Sequence, residues 1–174
     1  APMLYRNLAE KGFFPVSEMA TLRRMGGLAG HPNMHTPGVE MPGGPLGQGF
    51  PAAQGMAMAL KLNNSPAKVY AVLGDGELNE GVIWETAMSA AKFKLDNLIA
   101  IVDYNKVQLD GTTDEVMPLG DLAAKWEAFG WTVLECDGHD LEALDFCISV
   151  ADGAVGVPTV IIAKTVKGKG VSFM

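Results

Sequence analysis

No cluster of lysine or arginine stands out in this chain, and acidic residues outnumber basic ones 20 to 13, for a formal net charge of −7. Nucleic acid or an anionic membrane surface needs the opposite balance, so composition argues against both as partners. Cysteine is almost missing. Cys136 and Cys147 are the only two, and their spacing fits neither a metal site nor a redox motif. They are expected to be reduced thiols of a cytoplasmic protein, a disulfide between them having no support in the pattern. No apolar run approaches the roughly 18 residues of a membrane helix. The start, Ala1-Pro2-Met3-Leu4-Tyr5-Arg6-Asn7, lacks a signal-peptide pattern. A soluble protein is expected, with no internal repeat, low-complexity tract or interdomain linker.

What remains is ordinary globular material. The 174 residues suffice for one full core, and 48% hydrophobic content with only 19% charge argues against disorder. Both ends are abrupt, and the tail Val166-Lys167-Gly168-Lys169-Gly170-Val171-Ser172-Phe173-Met174 has no natural stop. Residues 1–174 are therefore expected to be a single domain truncated at both ends.

Short apolar runs alternate with helical patterns. Val69 to Leu73, Leu98 to Val102, Trp131 to Glu135 and Pro158 to Ala163 read as strands. Met3 to Lys11, Ser17 to Met25, Gln48 to Leu62, Glu80 to Lys94, Asp121 to Phe129 and Leu141 to Ala151 read as helices. Such alternation, with strands apolar on both faces, predicts an α/β fold: a parallel β-sheet with helices on both faces. Two stretches read as loops. Lys106 to Pro118 is polar. Ala29 to Gly49 carries six glycines, four prolines and two histidines, and a loop of that length in a compact domain is usually functional.

The most informative feature is Gly74-Asp75-Gly76 at the end of the first strand, with Asn105 at the end of the second, about thirty residues on. A right-handed strand–helix–strand unit brings both carboxyl ends to one edge of the sheet. Asp75 and Asn105 then supply hard oxygen ligands for one divalent cation, and the glycines let the backbone approach a phosphate closely. An acid, an amide and bare backbone suit Mg²⁺ carrying a diphosphate. Gly-Asp-Gly alone is also an ordinary tight turn; its context lifts it above that.

Gly-Asp-Gly followed by Asn at this distance resembles the thiamine diphosphate motif, and other segments narrow the resemblance. Gly30-His31-Pro32, Pro37-Gly38-Val39-Glu40 and Gly44-Pro45-Leu46-Gly47-Gln48-Gly49, in that order, look like transketolase. So do Gly74-Asp75-Gly76-Glu77-Leu78-Asn79-Glu80-Gly81, the run Leu95 to Lys106, and Trp126-Glu127-Ala128-Phe129-Gly130-Trp131. Deoxyxylulose-phosphate synthases and the E1 subunits of 2-oxo acid dehydrogenases share the first motif, but Gly44 to Gly49 reads as a transketolase feature. The resemblance covers nearly the whole chain and implies the N-terminal, diphosphate-binding domain of the thiamine diphosphate-binding fold.

Site roles follow from the resemblance, position by position. Asp75, Asn105 and the Val107 carbonyl match the family's Mg²⁺ ligands, with Ca²⁺ as a substitute. Gly76 and Asn105 match diphosphate contacts. Gly44 and Leu46 match residues that hold the cofactor rings, and Leu109 matches an apolar contact of the thiazolium. His31 matches a histidine at the donor sugar. Glu80 and Glu85 match acids at the dimer interface that link two cofactor sites. His35 and His139 have no motif support and read as surface loop residues.

The resemblance also implies what is missing. The acid that activates the aminopyrimidine belongs to a pyrimidine-binding domain, here a separate domain or subunit, so the chain holds part of an active site. With that partner, as a homo-oligomer or heterotetramer, it is expected to be a transferase of the pentose phosphate pathway, moving a two-carbon ketol unit between sugar phosphates. Helices Gln48–Leu62 and Glu80–Lys94 are expected in subunit contacts. The competing expectation is a non-catalytic cofactor-binding or interaction module.

Overall fold

The computed structural model describes residues 1–173. The chain divides into two compact units, Ala1–Pro45 and a second from Leu46 onward. The first holds helix α1 (Pro2–Glu10) and long irregular segments. Tyr5 is buried, and its hydroxyl donates to the Ala29 carbonyl at 2.9 Å.

In the second unit the order is α2 (Gly49–Leu62), β1 (Val69–Gly74), α3 (Gly81–Lys92), β2 (Leu98–Tyr104), β3 (Val107–Gln108), β4 (Gly111–Thr112), α4 (Thr113–Val116), α5 (Leu122–Ala128), β5 (Thr132–Asp137), α6 (Leu141–Asp152) and β6 (Thr159–Lys164). Four strands form a parallel sheet in the order β1-β2-β6-β5. The chain steps one way across the sheet from β1 to β2 and the opposite way from β5 to β6. Crossovers of one hand therefore put α3 and α6 on opposite faces.

The packing agrees. Phe50, Ala57, Ile83, Ala87, Leu122 and Trp126, from α2, α3 and α5, cover Ala71, Leu73, Ala100, Val102, Val160 and Ile162. Cys147 and Ala151 of α6 cover Ile99 and Ile161. Trp126 centres an aromatic cluster on the thicker face, 4.9 Å from Trp131 and 5.1 Å from Trp84 between ring centroids.

The α/β fold with a parallel, helix-flanked sheet is as expected; three local expectations are corrected. Ser17 to Met25 is not an α-helix but a 3₁₀ turn over Val16–Thr21. The Thr21 hydroxyl donates to the Glu18 carbonyl and accepts from Leu28 N–H, and these local bonds fold the segment back before a helix can propagate. Lys106 to Pro118 is not one loop. β3 and β4 pair as a hairpin through Leu109-Asp110, and Thr112 with Glu115 forms a capping box for α4. Finally, only the central strands are apolar on both faces. The edge strand β1 alternates, leaving Tyr70 and Val72 exposed on the α6 side.

Candidate cofactor and metal site

Strand β1 ends at Gly74, and the next residue turns its carboxylate inward. Asp75 is 1% exposed. Its Oδ1 accepts from Gly76 N–H at 2.7 Å and its Oδ2 from Lys106 N–H at 2.5 Å. The second bond ties the end of β1 to the end of β2, and Lys106 takes a left-handed backbone conformation, φ 61°, where it forms. The turn itself is fixed from behind: Leu78 is buried, and the Trp84 indole N–H donates to the Leu78 carbonyl at 2.8 Å.

A buried carboxylate normally has a cation beside it. Among the described residues Asp75 has no salt-bridge partner. Burial pushes its carboxyl above the ordinary carboxylate range; the Lys106, Gly76 and Asn105 N–H groups pull the other way, and Asp103 adds a smaller upward push. Each carboxylate oxygen keeps lone-pair capacity beyond the one bond it accepts. Among the described residues no group of three or more His, Cys, Asp or Glu side chains is placed to hold a metal. A metal held here by Asp75 and neutral oxygens would have a ligand set that Mg²⁺ accepts.

The rest of the strand edge supplies those oxygens. The Asn105 side-chain oxygen accepts from Val107 N–H at 3.0 Å, and Val107 opens the β3–β4 hairpin. A cleft of about 390 Å³ brings together Leu46, Asp75, Gly76, Asn105, Val107 and Leu109, six of the residues expected from sequence. Leu109, at the hairpin tip, is 97% exposed, and Leu46 is 55% exposed. Two large apolar side chains left in solvent beside a buried acid suit a ligand with an anionic end and an apolar body.

Two further observations test the fit of a metal-bound diphosphate. A Cβ added at Gly76 would stand 2.9 Å from the Gln108 Cβ, so the backbone is bare there by necessity. Gln108 also lines the cleft, and its buried Nε2 has no acceptor, leaving a donor unpaired beside it. Among the described residues that line the cleft, Lys167 is the one cation. The residues present fit the group. One difference from expectation is local: the Gly76 N–H is donated to Asp75 rather than left free.

The remaining expected residues are not among those lining this cleft. Glu80 stands at the N-terminus of α3 and Glu85 on its exposed side, and neither lines this cleft. In the first unit, His31 and Gly44 line a cavity of about 660 Å³ together with Arg23. A Cβ on Gly44 would reach within 3.2 Å of the His31 Nδ1. His139, an ordinary loop residue by its sequence, accepts from Val166 N–H through Nε2 at 2.8 Å and so anchors the turn that carries Lys167. Sequence reasoning does not single out Gln108 or Lys167, and the resemblance ties Glu77, with Glu80 and Glu85, only to the diphosphate edge or the interface, giving it no role of its own. Glu77 sits inside the Gly74–Gly81 motif and Gln108 beside an expected ligand, so proximity is the available signal; Lys167 enters only through the fold.

An acid and an amide at adjacent strand ends, over a glycine turn, define a cofactor-binding α/β domain. Residues 2–173 match the family model described as "Transketolase, thiamine diphosphate binding domain", and the chain belongs to that family. It is 48% identical over 174 residues to the 6-deoxy-6-sulfo-D-fructose transketolase subunit SqwG of Clostridium sp. (strain MSTE9), covering 99% of this chain and 63% of that protein. Identity to an apulose-4-phosphate transketolase subunit from Phocaeicola vulgatus is 44%, over 98% of this chain and 61% of the other. Among solved structures, transketolase from Campylobacter jejuni superposes with a TM-score of 0.83 at 35% identity, covering 89% of this chain and 26% of that one. The chain thus spans about three fifths of the length of the two relatives named as subunits.

Proposed function

We propose that this chain is the diphosphate-binding part of a transketolase that works with a separate pyrimidine-binding domain or subunit. Asp75, buried beside Asn105 and without a salt-bridge partner among the described residues, carries this reading. In it, Asp75, Asn105 and the Val107 carbonyl hold Mg²⁺, and Gly76 gives the diphosphate close access to the backbone. Leu46 and Leu109 hold the apolar part of the cofactor, Gly44 adds to the ring contacts, and His31 meets the donor sugar. Lys167 and the Gln108 amide offset diphosphate charge, which an acidic protein needs. Thiamine diphosphate, when bound, supplies the electron sink for breaking and remaking a carbon–carbon bond.

The proposed reaction moves a two-carbon ketol unit from a ketose phosphate to an aldose phosphate, in the pentose phosphate pathway. The two relatives named as subunits carry the names of a sulfosugar and a sugar phosphate, which supports a ketose with an anionic group as substrate. Glu80 and Glu85 are assigned to a dimer interface. Among the described residues no helix is long and apolar enough to cross a membrane. The location is assigned as cytoplasmic, in keeping with two cysteines spaced as neither a metal site nor a redox motif.

The test is ketol transfer by the chain assembled with its pyrimidine-domain partner, with thiamine diphosphate and Mg²⁺, alongside calorimetric titration of the cofactor with and without a chelator. Metal-dependent binding and turnover are expected. The chain alone should give no turnover, because the acid that activates the aminopyrimidine belongs to the other domain. Full activity without the partner overturns the division of labour.

A further inference from the structure

We propose that Glu77 is a positioning residue that locks the Leu46–Gly47 wall of the cleft to its Gly74–Asp75–Gly76 floor. The inference rests on the cofactor reading above and adds a role for a residue that reading leaves idle. Glu77 lies in the 3₁₀ turn Gly76–Asn79 directly after Asp75 and lines the same cleft. An unpaired acid on the wall of a diphosphate site is electrostatically wrong, since it repels the ligand. Its oxygens are instead spent on the backbone: Oε1 accepts from Gly47 N–H at 2.7 Å and Oε2 from Gly74 N–H at 3.2 Å.

The two donors belong to different elements, one just before α2 and one at the end of β1. Gly47 is itself immobilised. Its φ is 79°, and a Cβ there would meet Val82 Cγ1 at 2.8 Å and Glu80 Cβ at 2.9 Å, so only glycine fits. Its N–H is therefore fixed in direction, and the carboxylate is the acceptor that receives it. Leu46 is the residue just before it. Through one side chain, the apolar wall at Leu46 and the metal-ready floor at Asp75 become a single frame. A two-oxygen, acceptor-only group is what two backbone N–H donors require; an amide supplies one such oxygen and a methyl none.

The experiment compares wild type, Glu77→Ala and Glu77→Gln in the enzyme assembled with its partner. Calorimetry reads the affinity for thiamine diphosphate with Mg²⁺, and separately for inorganic pyrophosphate with Mg²⁺. Hydrogen exchange at the Gly47 amide reads the tie itself, and thermal melting reports folding. Glu77→Ala should weaken thiamine diphosphate by about 10- to 100-fold, the range for losing hydrogen bonds to a charged group. It should weaken pyrophosphate much less, because pyrophosphate touches the floor and not the wall, and it should speed Gly47 exchange. Glu77→Gln, with one acceptor oxygen for the two N–H donors, should fall between wild type and Glu77→Ala in both Gly47 protection and affinity.

Equal losses for both ligands, tracking a fall in melting temperature, would overturn the positioning role. So would wild-type affinity in Glu77→Ala. Wild type binding neither ligand sinks the cofactor reading and this inference with it. Wild type binding both while Glu77→Ala matches it sinks the inference alone.

Discussion

The carboxyl ends of β1 and β2 and those of β5 and β6 lie on the same edge of one parallel sheet, both are rich in acids, and they treat those acids in opposite ways. At the β5–β6 end the acids are compensated and wet. Glu135 pairs with Lys164 at 2.6 Å, both side chains substantially exposed. Asp137 accepts from His139 N–H, and Asp140 caps α6 through Glu142 and Ala143 N–H. At the β1–β2 end Asp75 is buried, held by backbone N–H groups and, among the described residues, paired with no cation. The first arrangement stabilises a fold; the second stores an unmet demand for positive charge. Counting acids does not separate the two, and burial with partner chemistry does.

The sharpest way to break this contrast is Asp75→Ala. It should abolish metal-dependent binding of thiamine diphosphate in calorimetry while leaving the chain folded, because the buried acid that offers the strand edge its charge is gone. Wild-type affinity in that variant would end the contrast. Next in size is Lys167→Met. Removing this cation from the cleft should weaken the cofactor by about 10-fold, or about 1.4 kcal/mol. The loss should shrink as salt is raised, since Lys167 is exposed and screened. A salt-independent loss would point to packing instead.

One side of this contrast is largely legible in the sequence and the other almost not at all. Asp75 and Asn105 announce themselves because glycines flank the acid and each residue follows an apolar, β-branched run. Adjacent parallel strands then force them together. Leu46, Val107 and Leu109 rest on the family resemblance, and the cleft gathers all of them. Lys167 and His139 are not legible, because they reach that edge through the register of β6 against β2 and a turn closed by a side chain. No local pattern encodes such a meeting. The Lys106–Pro118 segment reads as a loop because its polarity hides a hairpin, whose two turn residues, Leu109-Asp110, are not an Asn-Gly or Asp-Gly pair. The expected Ser17–Met25 helix fails where Thr21 bonds compete with propagation.

Asp140→Ala probes the other end of the comparison. Losing an N-cap that accepts two backbone N–H bonds should cost about 1 kcal/mol of stability by denaturant melting. Cofactor affinity should not change. A variant that binds weakly without being less stable would mean that the β5–β6 edge also belongs to the site.

The smallest expected effect is the most direct on the physics, since it reads the cost of Asp75 with no ligand present. Its carboxyl is held above the usual value of 3.8 in the folded chain, chiefly by burial. Folding therefore favours the protonated acid. The stability attached to this group is fully present below the unfolded value and is lost as pH rises through the raised, folded one. In metal-free protein, then, wild type should lose stability relative to Asp75→Asn as pH climbs from about that value toward neutrality. Asparagine keeps one acceptor oxygen and loses the other, so a constant offset between the two proteins is expected as well. The slope of the difference carries the information, because carboxylates that do not interact with Asp75 contribute equally in both proteins and cancel. At neutral pH, Mg²⁺ with thiamine diphosphate should then raise the melting temperature of wild type and leave Asp75→Asn almost unmoved. A difference that is flat in pH, or that slopes the other way, would mean that the backbone N–H groups already compensate the charge, and the two ends of the sheet would no longer differ in kind.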